Sequence, residues 1–152
     1  MKTLVKKSVI IILSLVAIAS CNKTKKYSNR MGGYKWELTS LTINGTEVTT
    51  KPVLLFKDCD IYKETCEGSW ILNDDGRASF VWQFNNKGQK LEIANQTDHV
   101  HGITDVKAAE QCIEYSGIYD VVESKRQSIT IKTNMANGHK NKDVVIKMQR
   151  LN

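Results

Sequence analysis

The feature that most restricts the fold of this chain is an alternation of period two that recurs between turn signals. In RASFVWQF, residues 77–84, Phe80, Trp82 and Phe84 share one face while Ser79 and Gln83 point to the other. Successive side chains of a strand project to opposite faces, so this spacing predicts a half-buried β-strand. GSWILN and the turn residues Asp74-Asp75-Gly76 precede it, and NNKG followed by QKLEIAN, with Leu91 and Ile93 alternating, comes after it. These three pieces form a meander.

The same rhythm extends in both directions. YKWELTSLTI ends at Asn44-Gly45, a tight-turn signal, and the short segment TEVTT follows; Pro52 then separates it from VLLFKDCDIY. Towards the C-terminus, CIEYSGIYDVVES places Ile113, Tyr115, Tyr119 and Val121 on one side, with Gly117 at a strand bend. SITIKT and DVVIKMQRL complete the series, the last with Val144, Ile146, Met148 and Arg150 on one face. Residues 96–111 break the pattern and read as a loop, in which KAAEQ suits a short helix. Strands joined by short turns, with a single proline and no long helical period, predict an all-β antiparallel sandwich or barrel.

Sequential hairpins without long crossovers favour an up-and-down meander, and a meander of about eight strands removes its open edges by closing on itself. Closure pairs the first strand with the last in antiparallel fashion. Trp36 then lies near Arg150 at one barrel end, where guanidinium stacking on indole is worth about 0.5–2 kcal/mol.

The N-terminus carries a different message. Lys2, Lys6 and Lys7 precede an apolar run from Val9 to Ala19, and Ile18, Ala19 and Ser20 lead into Cys21. This is the layout of a secretory signal, too short to span a bilayer, which takes about 18 apolar residues or more. The residues before Cys21 resemble the bacterial lipobox, with Ile18 where Leu is commonest. That resemblance implies cleavage after Ser20, diacylglycerol on the Cys21 sulfur and acylation (palmitate-type) of its amine. Two or more acyl chains anchor stably. The expected organisation is therefore a signal peptide over 1–20, a flexible tether over the polar, aperiodic residues 21–33, and one domain over 34–152. Asn22 in place of Asp after the lipidated cysteine resembles the sorting pattern for the outer membrane, with the periplasmic side favoured because the run NKTKK is not acidic.

Charge and cysteine narrow the function. The formal charge of +6 includes the three leader lysines, so half of it leaves with the leader. Lys23, Lys25, Lys26 and Arg30 lie in the expected tether. The domain itself is then near neutral, which argues against a nucleic-acid partner, while a basic segment beside an anchor can touch anionic headgroups or simply act as a solvated spacer. Outside the cytosol disulfides persist. Cys59 and Cys66 bracket DIYKET, and a hairpin turning near Tyr62 and Lys63 sets them opposite each other; pairing of either with Cys112 is the rival, since sequence does not fix connectivity. Asp98, His99 and His101 could project together, but no metal site is expected from three residues in a polar loop, and His139 is expected in a solvated loop. No phosphate loop, nucleophile elbow or zinc signature is present, so an enzyme is not expected, nor a cofactor.

From Gly33 and Trp36, the Asn44-Gly45 hairpin, GSWILNDDGRASFVWQF, YDVVE and a basic residue in the last strand, residues 32–152 resemble the lipocalin-like domains of Bacteroidota lipoproteins, within the calycin group. Lipocalins proper open with Gly-x-Trp, whereas GYKW holds one residue more. The resemblance implies a monomeric lipocalin-like barrel, a barrel-end plug of Trp36 and Arg150, and a pocket for a small apolar or amphipathic ligand lined by Trp36, Trp70, Phe80, Trp82, Phe84, Tyr115 and Tyr119. Core packing accounts for the same aromatics. A protein-interaction or inhibitor module, using the irregular stretch 95–111, is the alternative function.

Overall fold

The computed structural model describes residues 23–60, 65–96 and 105–152. The expected turn at Tyr62 and Lys63, the DHVH stretch and Cys21 lie outside them.

Among the described residues nine strands run in chain order: β1 (Tyr34–Ile43), β2 (Thr46–Glu47), β3 (Val53–Phe56), β4 (Cys66–Ile71), β5 (Arg77–Asn85), β6 (Lys90–Asn95), β7 (Gly117–Ser124), β8 (Ser128–Thr133) and β9 (Val144–Arg150). β1 and β3 to β9 pair with their neighbours antiparallel, and β1 pairs with β9, closing an eight-stranded barrel. β2 is an extra strand that pairs with β1 alone, through Ile43↔Thr46 and Thr42↔Glu47. Asn44 and Gly45 both take positive φ, 49° and 81°, as a two-residue hairpin whose twist matches that of its strands requires.

Alternation carries one side of every barrel strand inward. Leu54 and Phe56, Phe80 and Trp82, Leu91 and Ile93, Ile129 and Ile131, and Val144, Ile146 and Met148 are all buried. In β1 the buried positions are Trp36, Leu38 and then Leu41. The parity changes there because the register with β9 slips between Leu38 and Ser40, and a bulge inserts one residue and so returns later apolar residues to the inside. Gly68 in β4 makes room for a ring: a Cβ on it would stand 2.3 Å from Phe80 Cζ.

Among the described residues two α-helices lie at opposite ends of the barrel. Residues 23–31 form α1, where the sequence suggested part of a flexible tether. α1 turns Thr24, Tyr27, Ser28 and Met31 to the barrel, with Ser28 and Met31 buried, and leaves Lys23, Lys25, Lys26 and Asn29 exposed. That i, i+3, i+4, i+7 set is one helical face; its single aliphatic-type residue, Met31, is why it reads as polar and aperiodic in sequence. The second helix, α2 (Val106–Tyr115), runs past the expected KAAEQ segment and absorbs Cys112 to Tyr115. The strand expected from Cys112 accordingly begins only at Gly117. Asp105 caps α2 by accepting from Ala108 N at 2.7 Å, and Ala108, Ala109, Cys112 and Tyr115 form its buried face.

Cys59 and Cys66 form a disulfide, with Cα atoms 5.5 Å apart, and Cys112 is a free, buried thiol. β3 and β4 are neighbours, with Phe56 opposite Gly68, which brings the chain just after β3 beside the start of β4 and so Cys59 to Cys66. Closing so short a loop removes about 2–3 kcal/mol of unfolded-state entropy.

Candidate functional site

All seven aromatic residues named from the sequence are buried. The structure distributes them along the barrel axis and packs them largely on one another. Near the α1 end, Trp82 meets Phe84 edge to face at 6.3 Å between ring centroids. Phe56 joins Phe80 and Trp82, each at 5.3 Å and nearly perpendicular. Sequence reasoning left Phe56 out, although the alternation of Leu54 and Phe56 signals it. Such edge-to-face pairs are worth about 0.5–1.5 kcal/mol each beyond the area they bury.

At the α2 end, Trp70 stacks on Tyr115 at 6.1 Å and 9°, and its indole Nε1 donates to Gln111 Oε1 at 2.9 Å. Tyr119 O–H donates to the Tyr115 carbonyl, Ser116 Oγ–H to the Cys112 carbonyl at 2.7 Å, and Asn95 N–H to Ser116 Oγ at 2.9 Å. The helix that supplies Tyr115 is thus tied to β4, β6 and β7 at once. Burial pushes the Cys112 thiol up to about 12 against a hydrogen bond with Ser116, and Tyr115 also to about 12, helped by the Glu114 charge. Tyr119 is raised further by burial and by its neighbours Tyr115 and Cys112. All three hold their protons at neutral pH, so they act as donors and packing groups rather than as anions.

His139, expected in a solvated loop, is only 7 % exposed. The C-terminal turn of α2 crosses the β8–β9 connection, where Gly138 N–H donates to the Glu114 carbonyl at 2.9 Å. His139 Nε2 stands 2.7 Å from Glu114 Oε1, with its ring 5.1 Å from that of Tyr115. Loop composition hid this contact, because it depends on a helix that ends 24 residues earlier in the chain.

Beside this lid, an open groove of about 330 Å³ runs between the end of β6, the start of β7 and the last turn of α2. Ile93, Ala94, Ile113 and Ile118 give it apolar walls, and Glu92, Asn95, Ser116 and Asn137 polar ones. The Asn95 Oδ1 atom is shielded from solvent and accepts no hydrogen bond from the described residues. Ile113, expected on an inward strand face, instead stands exposed on α2.

The opposite end pairs as the closure argument predicts, with Trp36 directly across from Arg150. The ring under the guanidinium is nevertheless Tyr34, 4.1 Å from Arg150 Cζ. Tyr34 lies two residues before Trp36 on the same strand face, nearer the barrel mouth, and so meets the long Arg150 side chain diagonally. Trp36 Nε1 donates instead to the Met31 carbonyl at 3.2 Å, fastening the end of α1.

No family model and no curated protein matches the chain. Among solved structures, a lipocalin-like protein from Bacteroides uniformis is similar at a TM-score of 0.52 and 15 % identity, over 80 % of this chain and 99 % of that one. At that identity the similarity is one of fold, and with the closed antiparallel meander it establishes a lipocalin-like β-barrel here.

Proposed function

We propose that the protein is an envelope lipoprotein, anchored through acylated Cys21 in the outer membrane, whose lipocalin-like barrel binds a small apolar or amphipathic ligand. The observation that carries the binding reading is the groove beside α2. Its volume of about 330 Å³ falls at the lower end of ligand sites, roughly 300–1,000 Å³. Apolar walls with a few polar groups among them suit an amphipathic molecule.

Native mass spectrometry of the protein purified from membranes tests this. The expected result is a co-purifying small molecule, displaced by anilinonaphthalene sulfonate, with both lost in Ile113→Asp and Asn95→Leu variants that keep their circular dichroism. A protein that carries no small molecule and takes up no probe defeats the reading.

A second reading, a protein-interaction module, is favoured by the outer face of β7, where Ile118 and Val122 are 49 % and 63 % exposed. Val122→Lys, outside the groove, would then release a partner captured from membranes while leaving small-molecule binding in place.

A further inference from the structure

We propose that the α1 end of the barrel is a docking face for anionic lipid headgroups, which holds the barrel upright on the membrane with its α2 end and groove pointing away. The proposal rests on the Cys21 anchor for its reach and on α1 for its direction.

α1 lies across the barrel mouth rather than hanging free. Tyr27 packs on Phe84 at 5.7 Å, Arg30 Nη1 donates to the Ser124 carbonyl at 3.2 Å, and Trp36 holds Met31. The Lys23 backbone reaches the β5–β6 turn, where a Cβ on Gly88 would stand 3.4 Å from it. The inward face is thereby fixed, and Lys23, Lys25 and Lys26 are exposed on the side turned from the barrel. Lys87, in the β5–β6 turn, and Arg126, between β7 and β8, are exposed at the same end. None of these five has an ion pair among the described residues.

Acids lie nearby as well. Glu67 pairs with Lys57, Asp120 with Lys90 and Glu123 with Lys125, and Asp58, beside Gly32, and Asp60 follow β3. Against the five cations these two leave the described part of this end net basic. A charge near an anionic bilayer acts only within a Debye length, about 8 Å at physiological ionic strength. A free 13-residue tether would let the barrel drift by up to about 45 Å, whereas the two residues from Cys21 to Lys23 span at most about 7 Å. With α1 docked, a lipid on Cys21 brings this face within that range, and the same geometry keeps the α2 end about 20 Å higher, the axial rise of a tilted barrel strand of roughly eight residues.

The full chain, purified from membranes and reconstituted in phosphatidylcholine vesicles with or without phosphatidylglycerol, tests this. A fluorophore is placed at the α1 end (Gln127→Cys) or the α2 end (Lys140→Cys), and its quenching by headgroup-labelled lipid is measured. The expected result is quenching severalfold stronger at Gln127 than at Lys140 with phosphatidylglycerol present. That difference should shrink in high salt, in the triple variant Lys23→Glu, Lys25→Glu, Lys26→Glu, and in Lys87→Glu with Arg126→Glu, which leaves the segment after Cys21 untouched. Equal quenching at both ends, or a difference indifferent to salt and to both variants, overturns the docking face. Mass spectrometry of Cys21 in the same sample separates the two ideas. Acylated Cys21 with equal quenching sinks the face and spares the anchor; unmodified Cys21 with end-selective quenching on anionic vesicles does the reverse.

Discussion

The two ends of the barrel are closed by helices of different physics. At the α2 end, closure belongs to the core: Trp70 on Tyr115, Tyr119 beneath, and Ser116, Asn95 and Cys112 in one hydrogen-bonded set. At the α1 end, closure is a strap of one buried Met31, a tilted Tyr27–Phe84 contact and hydrogen bonds to Trp36 and Ser124. A lid that shares its packing with the strands unfolds with them, whereas one held by few buried groups opens locally at lower cost. The integral lid borders the groove, and the strap borders the basic face.

Alkali should separate the ends most. Cys112 and Tyr115, with ordinary values of 9.0 and 10.0, are both pushed up to about 12 by burial at the α2 end, and Tyr119 is raised still more. Below about pH 9 all three are protonated in the folded and unfolded chain alike, and their contribution is fully present. As pH rises towards 12 the unfolded chain surrenders these protons first, so stability falls through that window. Urea midpoints followed by near-ultraviolet circular dichroism from pH 8 to 12 should fall steeply above 9, and a flat profile contradicts the buried network.

Truncations sharpen the contrast. Trp70→Ala should cost about 3–5 kcal/mol of global stability, and Met31→Ala about 2 kcal/mol, the low end for its class because α1 can relax. Hydrogen exchange should then show Met31→Ala releasing residues 23–31 with the strands still protected; a loss of protection throughout the barrel would make α1 as integral as α2. The smallest effect is that of Asp105→Ala, which removes the α2 cap at a cost of about 1 kcal/mol. It should speed exchange at the Ala108 amide and leave α1 unaffected.

Much of the barrel was legible because each strand announces itself locally. Phe80, Trp82 and Phe84, or Val144, Ile146 and Met148, carry their period in a few consecutive residues, and the Trp36–Arg150 register followed from closure alone. The lids were not, because their signals are weak or shared. Ile113 and Tyr115 alternate with polar residues as a strand would, yet Asp105 and the alanines at 108 and 109 nucleate a helix that carries through them. In α1 the inward face is Thr24, Tyr27, Ser28 and Met31, which only a barrel mouth of matching shape makes worth burying.

By itself, then, the sequence determined the antiparallel meander, its closure and the apolar face of nearly every strand, since all of these rest on short-range period and turn chemistry; the choice of Cys59 with Cys66 over Cys112 needed the structure. Tertiary structure decided what no window of residues contains: that Arg150 stacks on Tyr34, that His139 is buried against Glu114, and that two polar-looking segments become lids. Those outcomes depend on side chains from distant strands arriving at one place, where burial and hydrogen bonding outweigh local preference.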